Sequence, residues 1–109
     1  MNDSFDIIVI GGGTAGYPAA IRASQLGMSV ACVERGATLG GTCLNVGCIP
    51  SKALLHSTEL FADLSEGLEK HGIGVSGVAL DLAQMISRKN EVVAGLTKGV
   101  EHLLKKNKV

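Results

Sequence analysis

The passage from Phe5 to Glu34 restricts the fold more than any other: an apolar β-branched run, three glycines, a stretch of helical spacing, and a second apolar run ending in an acid. Phe5 to Ile10 is interrupted only by Asp6, and such a run reads as a parallel strand covered on both faces. Gly11-Gly12-Gly13-Thr14-Ala15-Gly16 follows at once and matches G-x-G-x-x-G. Ala19, Ala20, Ala23 and Leu26 recur at helical spacing, Gly27 stops the helix, and Ser29 to Val33 is extended and apolar again. Strand, glycine turn, helix and strand in that order make a βαβ unit with a dinucleotide fingerprint. In such a unit Gly11 makes the tight turn, Gly13 lets the backbone approach a pyrophosphate, and Gly16 lets the helix lie close to the strand. Amides at the helix N-terminus bind the phosphates, and Glu34 accepts from the adenosine ribose hydroxyls. A glycine loop alone could be a structural turn; its flanking strands and terminal acid make it specific. Pro18 disagrees with the pattern, and predicts a helix that starts late or bends there.

A second constraint lies in Gly40-Gly41-Thr42-Cys43-Leu44-Asn45-Val46-Gly47-Cys48-Ile49-Pro50-Ser51-Lys52, where four residues separate two cysteines. A bridge between them would close a ring of six residues, and loop-closure entropy makes that worth only about 2 kcal/mol. That is a poor staple. Glycines 40, 41 and 47 let the backbone bend and approach a ligand, and Lys52 brings a positive charge near, which are the surroundings of a reactive thiol. In a chain without secretory features a close pair is more often redox-active or metal-binding than structural, the plain alternative being two buried thiols on a helix.

Downstream, Leu54, Leu55, Leu60, Phe61, Leu64 and Leu68 keep helical spacing, so one helix is expected over 42–68, carrying both cysteines on a first stretch distorted by Pro50. His56 and His71 match no zinc spacing, and no metal site is expected. Gly72, Gly74 and Gly77 mark a loop or extended excursion. Asp81 then reads as an N-cap with Gln84 completing a capping box, opening a long amphipathic helix over 81–106 striped by Leu82, Met85, Ile86, Val92, Val93, Leu96, Val100, Leu103 and Leu104. Cys32, among apolar neighbours, reads as a small core residue.

The 109 residues suffice for one small domain, and 46% hydrophobic with 3% aromatic residues suits an α/β domain rich in small aliphatics and excludes disorder. Ten basic and ten acidic residues balance, no basic face interleaves with aromatics, and nucleic acid is not an expected partner. Lys105, Lys106 and Lys108 read as a solvated helix end. Asp3 and Asp6 flank a short apolar run that gives way to glycines, which is neither a signal peptide nor a membrane span. With no Arg- and Ser-rich transit segment, the expected location is the cytoplasm, or the mitochondrial matrix for a processed chain.

The segment GGTCLNVGCIPSKALL, residues 40–55, resembles the redox-active disulfide segment of the flavin-dependent pyridine nucleotide-disulfide oxidoreductases. With the glycine loop, the similarity runs from Phe5 through the last helical stretch. Its wording is nearest the branch that oxidises dihydrolipoyl groups. The branches acting on glutathione disulfide or mercuric ion tend to carry Val at the places of Leu44 and Ile49, and stay as the alternative, together with a non-catalytic nucleotide-binding module. The family more often has Val at the place of Pro18, and Pro-Gly or Gly-Gly at Thr14-Ala15.

The resemblance implies a Rossmann-like FAD-binding unit with long helices, one part of an enzyme with further NAD and interface domains. FAD would occupy this βαβ unit, and NAD a later one outside this chain. Cys43 resembles the interchange thiol, Cys48 the thiol beside the flavin, and Lys52 the lysine beside its ring, while Gly41 and Thr42 match positions whose backbone lines the FAD site. The implied reaction oxidises a dihydrolipoyl group on the lipoyl carrier protein of a 2-oxo acid dehydrogenase or glycine cleavage complex, sending two electrons through a Cys43–Cys48 disulfide and FAD to NAD. The base in that family is a His paired with Glu from the partner subunit of a homodimer. No residue here matches it, so this chain alone is expected to turn over little or not at all.

Overall fold

Two short parallel strands set the geometry of the first third of the chain. The computed structural model describes residues 4–109, and Asp3 lies outside them. Strand β1 (Ile7–Ile10) pairs with β2 (Val30–Val33) in a register that runs from Ile7 opposite Val30 to Ile10 opposite Val33. Helix α1 (Gly16–Gln25) makes the crossover. The ladder is extended by the Gly11 amide, which donates to Val33 O at 2.7 Å. Asp6 lies just before β1, where its carboxylate accepts from the Ser29 amide at 2.8 Å. That bond satisfies a donor at the foot of β2, so the acid that interrupts the apolar run costs the sheet nothing.

Contrary to the expectation drawn from Pro18, α1 starts directly after the glycine loop and runs unbroken. Pro18 is its third residue, inside the first turn, where a backbone N–H has no intrahelical acceptor to lose. Gly27 ends the helix in the left-handed region, φ 90°.

The single helix expected over 42–68 is two helices, α2 (Gly41–Asn45) and α3 (Cys48–Glu66), parted at Val46–Gly47. The break precedes Pro50, which sits harmlessly in the first turn of α3. Gly47 is the cause: a Cβ there would lie 2.9 Å from Thr42 O and 3.3 Å from Cys43 Cα, so the chain turns tightly against α2. Each cysteine therefore rides on its own helix. After α3 a 3₁₀ turn (Glu69–His71) and an isolated bridge between Leu68 and Ile73 lead into an irregular run that ends at α4 (Leu82–Lys106). Asp81 caps α4, accepting from the Gln84 amide at 2.9 Å. Only that half of the expected box forms among the described residues.

The buried core consists of Ala20, Val30, Leu44, Val100 and Leu104, packed against Val9, Tyr17, Ile21, Cys32, Leu39, Cys43 and Ile49. It joins α1, β2, α2 and the C-terminal third of α4 at one end of the molecule. Helix α3 buries no residue fully. The chain measures 67 × 25 × 18 Å with a radius of gyration of 20.1 Å, against about 13 Å for a compact domain of this length. Among the described residues no helix is long and apolar enough to cross a membrane.

Candidate functional site

Strand β1 delivers the chain into Gly11, whose φ of 101° turns the backbone away from the sheet. The loop then folds so tightly on itself that a Cβ on Gly16 would overlap the Gly11 carbonyl oxygen. A Cβ on Gly41 would fall 2.8 Å from Gly13 Cα, so the loop also lies against the start of α2. Gly12 holds the two together: its carbonyl accepts from the Gly40 amide at 2.8 Å, and its amide donates to Glu34 Oε2 at 2.7 Å. The other Glu34 oxygen, Oε1, accepts from the Gly36 amide at 2.7 Å. These backbone donors, Gly36 first and Gly12 next, hold the Glu34 carboxyl below its ordinary value.

The amides of Gly13, Thr14 and Ala15 have no acceptor among the described residues. They stand at the N-terminus of α1, which has no acidic residue in its first turn. Unpaired amides, a positive dipole end and no competing carboxylate are the donor set a pyrophosphate requires. The residues present therefore fit a bound dinucleotide. Glu34 keeps a free lone pair on each oxygen for ribose hydroxyls, although both oxygens already accept from backbone amides.

Gly11, Gly13, Gly16, Glu34, Gly41, Thr42 and Cys43 border one cleft of about 1020 Å³. Cys48 and Lys52 are not in its lining. They stand one turn apart on the exposed side of α3 and reach the site through Cys43. All three cysteines are free thiols. The Cys43 thiol is pushed above its ordinary 9.0, first by the neighbouring Cys48 thiol and then by burial, while the Lys52 ammonium pulls it back down. No histidine is among the groups that shift it. Burial raises the Cys32 thiol as well, and Cys32 packs against the core within β2.

Sequence reasoning gave Gly12 and Asn45 no task, and read Gly40 as a place where the backbone bends and approaches a ligand. Gly12 occupies an unspecified place in the fingerprint, and only the fold shows that its amide meets Glu34. Gly40 has a φ of 101° and adjoins Leu44, so it is a conformational glycine rather than a contact with the nucleotide site. Asn45 bonds backward onto the turn before α2.

The match to known proteins covers the same features. The pyridine nucleotide-disulphide oxidoreductase family model aligns with residues 5–109. Dihydrolipoyl dehydrogenase 3 of Pseudomonas aeruginosa is 63% identical over 110 residues, covering 100% of this chain and 23% of that protein. The dihydrolipoyl dehydrogenase of Trypanosoma brucei brucei is 58% identical over 106 residues, covering 96% of this chain and 22% of its own length. Among solved structures, a copper(II) complex of the HOCl-induced flavoprotein disulfide reductase RclA from Escherichia coli superposes with a TM-score of 0.75 at 34% identity, over 97% of this chain and 20% of that one. The chain thus spans about a fifth of the length of the curated relatives it matches. With the glycine loop, the acid after β2 and the cysteine pair all inside the aligned region, the chain belongs to the pyridine nucleotide-disulphide oxidoreductase family.

Proposed function

We propose that this chain is the FAD-binding, disulfide-bearing part of a flavoenzyme that oxidises dihydrolipoyl groups and passes the electrons to NAD. One observation carries the reading: the glycine loop and Cys43 border the same cleft, so a dinucleotide bound along that loop has a reactive sulfur at its margin. Named relatives at 58–63% identity are dihydrolipoyl dehydrogenases, which supports this branch.

In the proposed cycle Cys43 and Cys48 begin as a disulfide. A substrate thiolate attacks Cys43 Sγ, the Cys43–Cys48 bond breaks, a mixed disulfide forms, and Cys48 leaves as a thiolate. The second substrate thiol, deprotonated, displaces Cys43, so the substrate gains a disulfide and the cysteine pair gains two electrons. Bound FAD would supply the two-electron acceptor that restores the disulfide, with NAD as the final acceptor. The Lys52 ammonium stabilises thiolate charge on the pair, consistent with its downward pull on Cys43. Gly13, Thr14 and Ala15 amides hold the pyrophosphate, Glu34 the ribose, and Gly41 and Thr42 the neighbouring backbone wall. The substrate thiol must give up its proton before it attacks, and no histidine is among the groups that act on Cys43, so in this reading the base that takes the proton comes from the partner subunit of a homodimer. The substrate group is carried by a lipoyl protein of a 2-oxo acid dehydrogenase or glycine cleavage complex, in the cytoplasm or the mitochondrial matrix.

The test is NADH formation by the full-length protein with dihydrolipoamide, FAD and NAD. Turnover that disappears in both Cys43→Ser and Cys48→Ser is expected. Turnover with NADPH and glutathione disulfide in place of dihydrolipoamide would move the protein to the glutathione branch, and normal dihydrolipoamide activity in either cysteine variant would overturn the assigned roles.

A further inference from the structure

Asn45 lies inside the six-residue ring that a Cys43–Cys48 bond would close, and is the last residue of α2. Its carboxamide is almost fully used. Nδ2 donates one N–H to Gly41 O at 2.8 Å and the other to Leu39 O at 3.1 Å, while Oδ1 accepts from the Thr38 hydroxyl at 2.6 Å. These three bonds span the turn through Gly40 and Gly41, both at positive φ, that carries the chain from the loop after β2 into α2. Two glycines in the left-handed region make a flexible joint unless something outside them fixes it. Asn45 is that fixture, because from beyond the joint it grips Thr38 and Leu39 before it and Gly41 within it.

On the other side of Cys43, Gly47 packs against Thr42 O and the Cys43 Cα. The ring is therefore pinned at one end by a steric fit and at the other by a side-chain amide. We propose that Asn45, assisted by Thr38, is a positioning residue for the Cys43/Cys48 pair: it fixes the ring on the Thr38–Gly41 turn and so raises the effective concentration of one sulfur for the other. This rests on the redox reading above. Effective concentration is what sets the thiol–disulfide equilibrium of a close pair, and it falls when the connecting segment gains freedom. A residue that only stabilised the fold would strengthen dithiol and disulfide forms equally and leave that equilibrium where it was.

The experiment equilibrates the full-length protein with mixtures of reduced and oxidised dithiothreitol, traps thiols by alkylation, and reads the oxidised fraction of the 43–48 peptide by mass. Each step exchanges one disulfide and two thiols between protein and reagent, so the balance closes without another oxidant. Losing three hydrogen bonds in Asn45→Ala should lower the effective concentration of the pair roughly tenfold. Asn45→Asp should lower it further, because a carboxylate oxygen then faces the Leu39 and Gly41 carbonyl oxygens. Thr38→Val, which keeps shape and removes the hydroxyl, should lower it about threefold, and Thr38→Ser should restore it. Wild-type equilibria in Asn45→Ala and Asn45→Asp, whatever their melting temperatures, would overturn the proposal while leaving the redox reading intact. A wild-type pair that never oxidises would overturn the redox reading and this proposal with it.

Discussion

The loop end of the molecule and the far end of the α3–α4 hairpin are held together on different terms. At the loop end, backbone meets backbone: Gly16 against the Gly11 carbonyl, Gly41 against Gly13, and Gly12 bonded to both Glu34 and Gly40. All five core residues belong to α1, β2, α2 or the last third of α4, and none to α3 or the start of α4. At the far end, helices with a regular apolar stripe cover very little. Leu82 is 59% exposed and Leu60 52%, whereas Val100 and Leu104, on the same helix as Leu82, are 7% and 6% exposed. The lesson is that one amphipathic pattern serves a surface that is already covered and a surface that needs further protein, and the pattern alone does not separate them.

Breaking the loop end should have the largest effect. Gly16→Ala places a methyl group into the Gly11 carbonyl, so the loop must open or the helix must retreat; nucleotide binding should be lost, checked by titrating the variant with FAD and following flavin fluorescence. Next come paired truncations on α4. Leu104→Ala should destabilise the chain by about 2–5 kcal/mol, and Leu82→Ala by no more than about 0.5 kcal/mol, read from urea midpoints at unchanged slope. A large Leu82→Ala effect in the full-length protein, but not in the 109-residue chain, would sharpen the comparison by showing that the stripe is covered there. Asp81→Ala, which removes the cap on α4, should cost about 1 kcal/mol.

The smallest effect is electrostatic. Glu34 has a folded-state carboxyl depressed below its ordinary 4.5 by the Gly36 and Gly12 amides. Its contribution to stability is therefore complete above about pH 4.5 and is lost as pH falls through the lower folded value. The side chain is partly exposed, so a Glu34→Gln variant should flatten the acid limb of the stability profile slightly and leave the neutral limb unchanged.

Much of the site was legible because it is local. A strand followed at once by Gly11, Gly13 and Gly16, then a helix and a second strand ending in Glu34, specifies its own geometry within thirty residues. The long helices were legible as well, since Leu and Val recur at the helical period. Other features depend on what a residue meets rather than what it is. Pro50 was the visible helix breaker, but Gly47 parts α2 from α3 because a Cβ there would meet Thr42 O. Pro18 looked disruptive and is harmless, because α1 begins only two residues before it. Glu34 was assigned to a ribose, and the structure adds a brace to the Gly12 amide that no spacing rule encodes. Asn45 was quoted within the cysteine motif without a task, since its partners are carbonyls of Leu39 and Gly41.

The central claim is that Cys43 and Cys48 interconvert between dithiol and disulfide beside the nucleotide cleft. Peptide mapping of the air-oxidised full-length protein without reductant tests it most directly. The account predicts a 43–48 peptide lighter by two hydrogens than its dithiol form, taking up two alkyl groups in place of the two thiol hydrogens after reduction, with Cys32 alkylated once the protein is unfolded in either condition. Cys43 and Cys48 both alkylated without reduction, or either one bridged to Cys32, would contradict it.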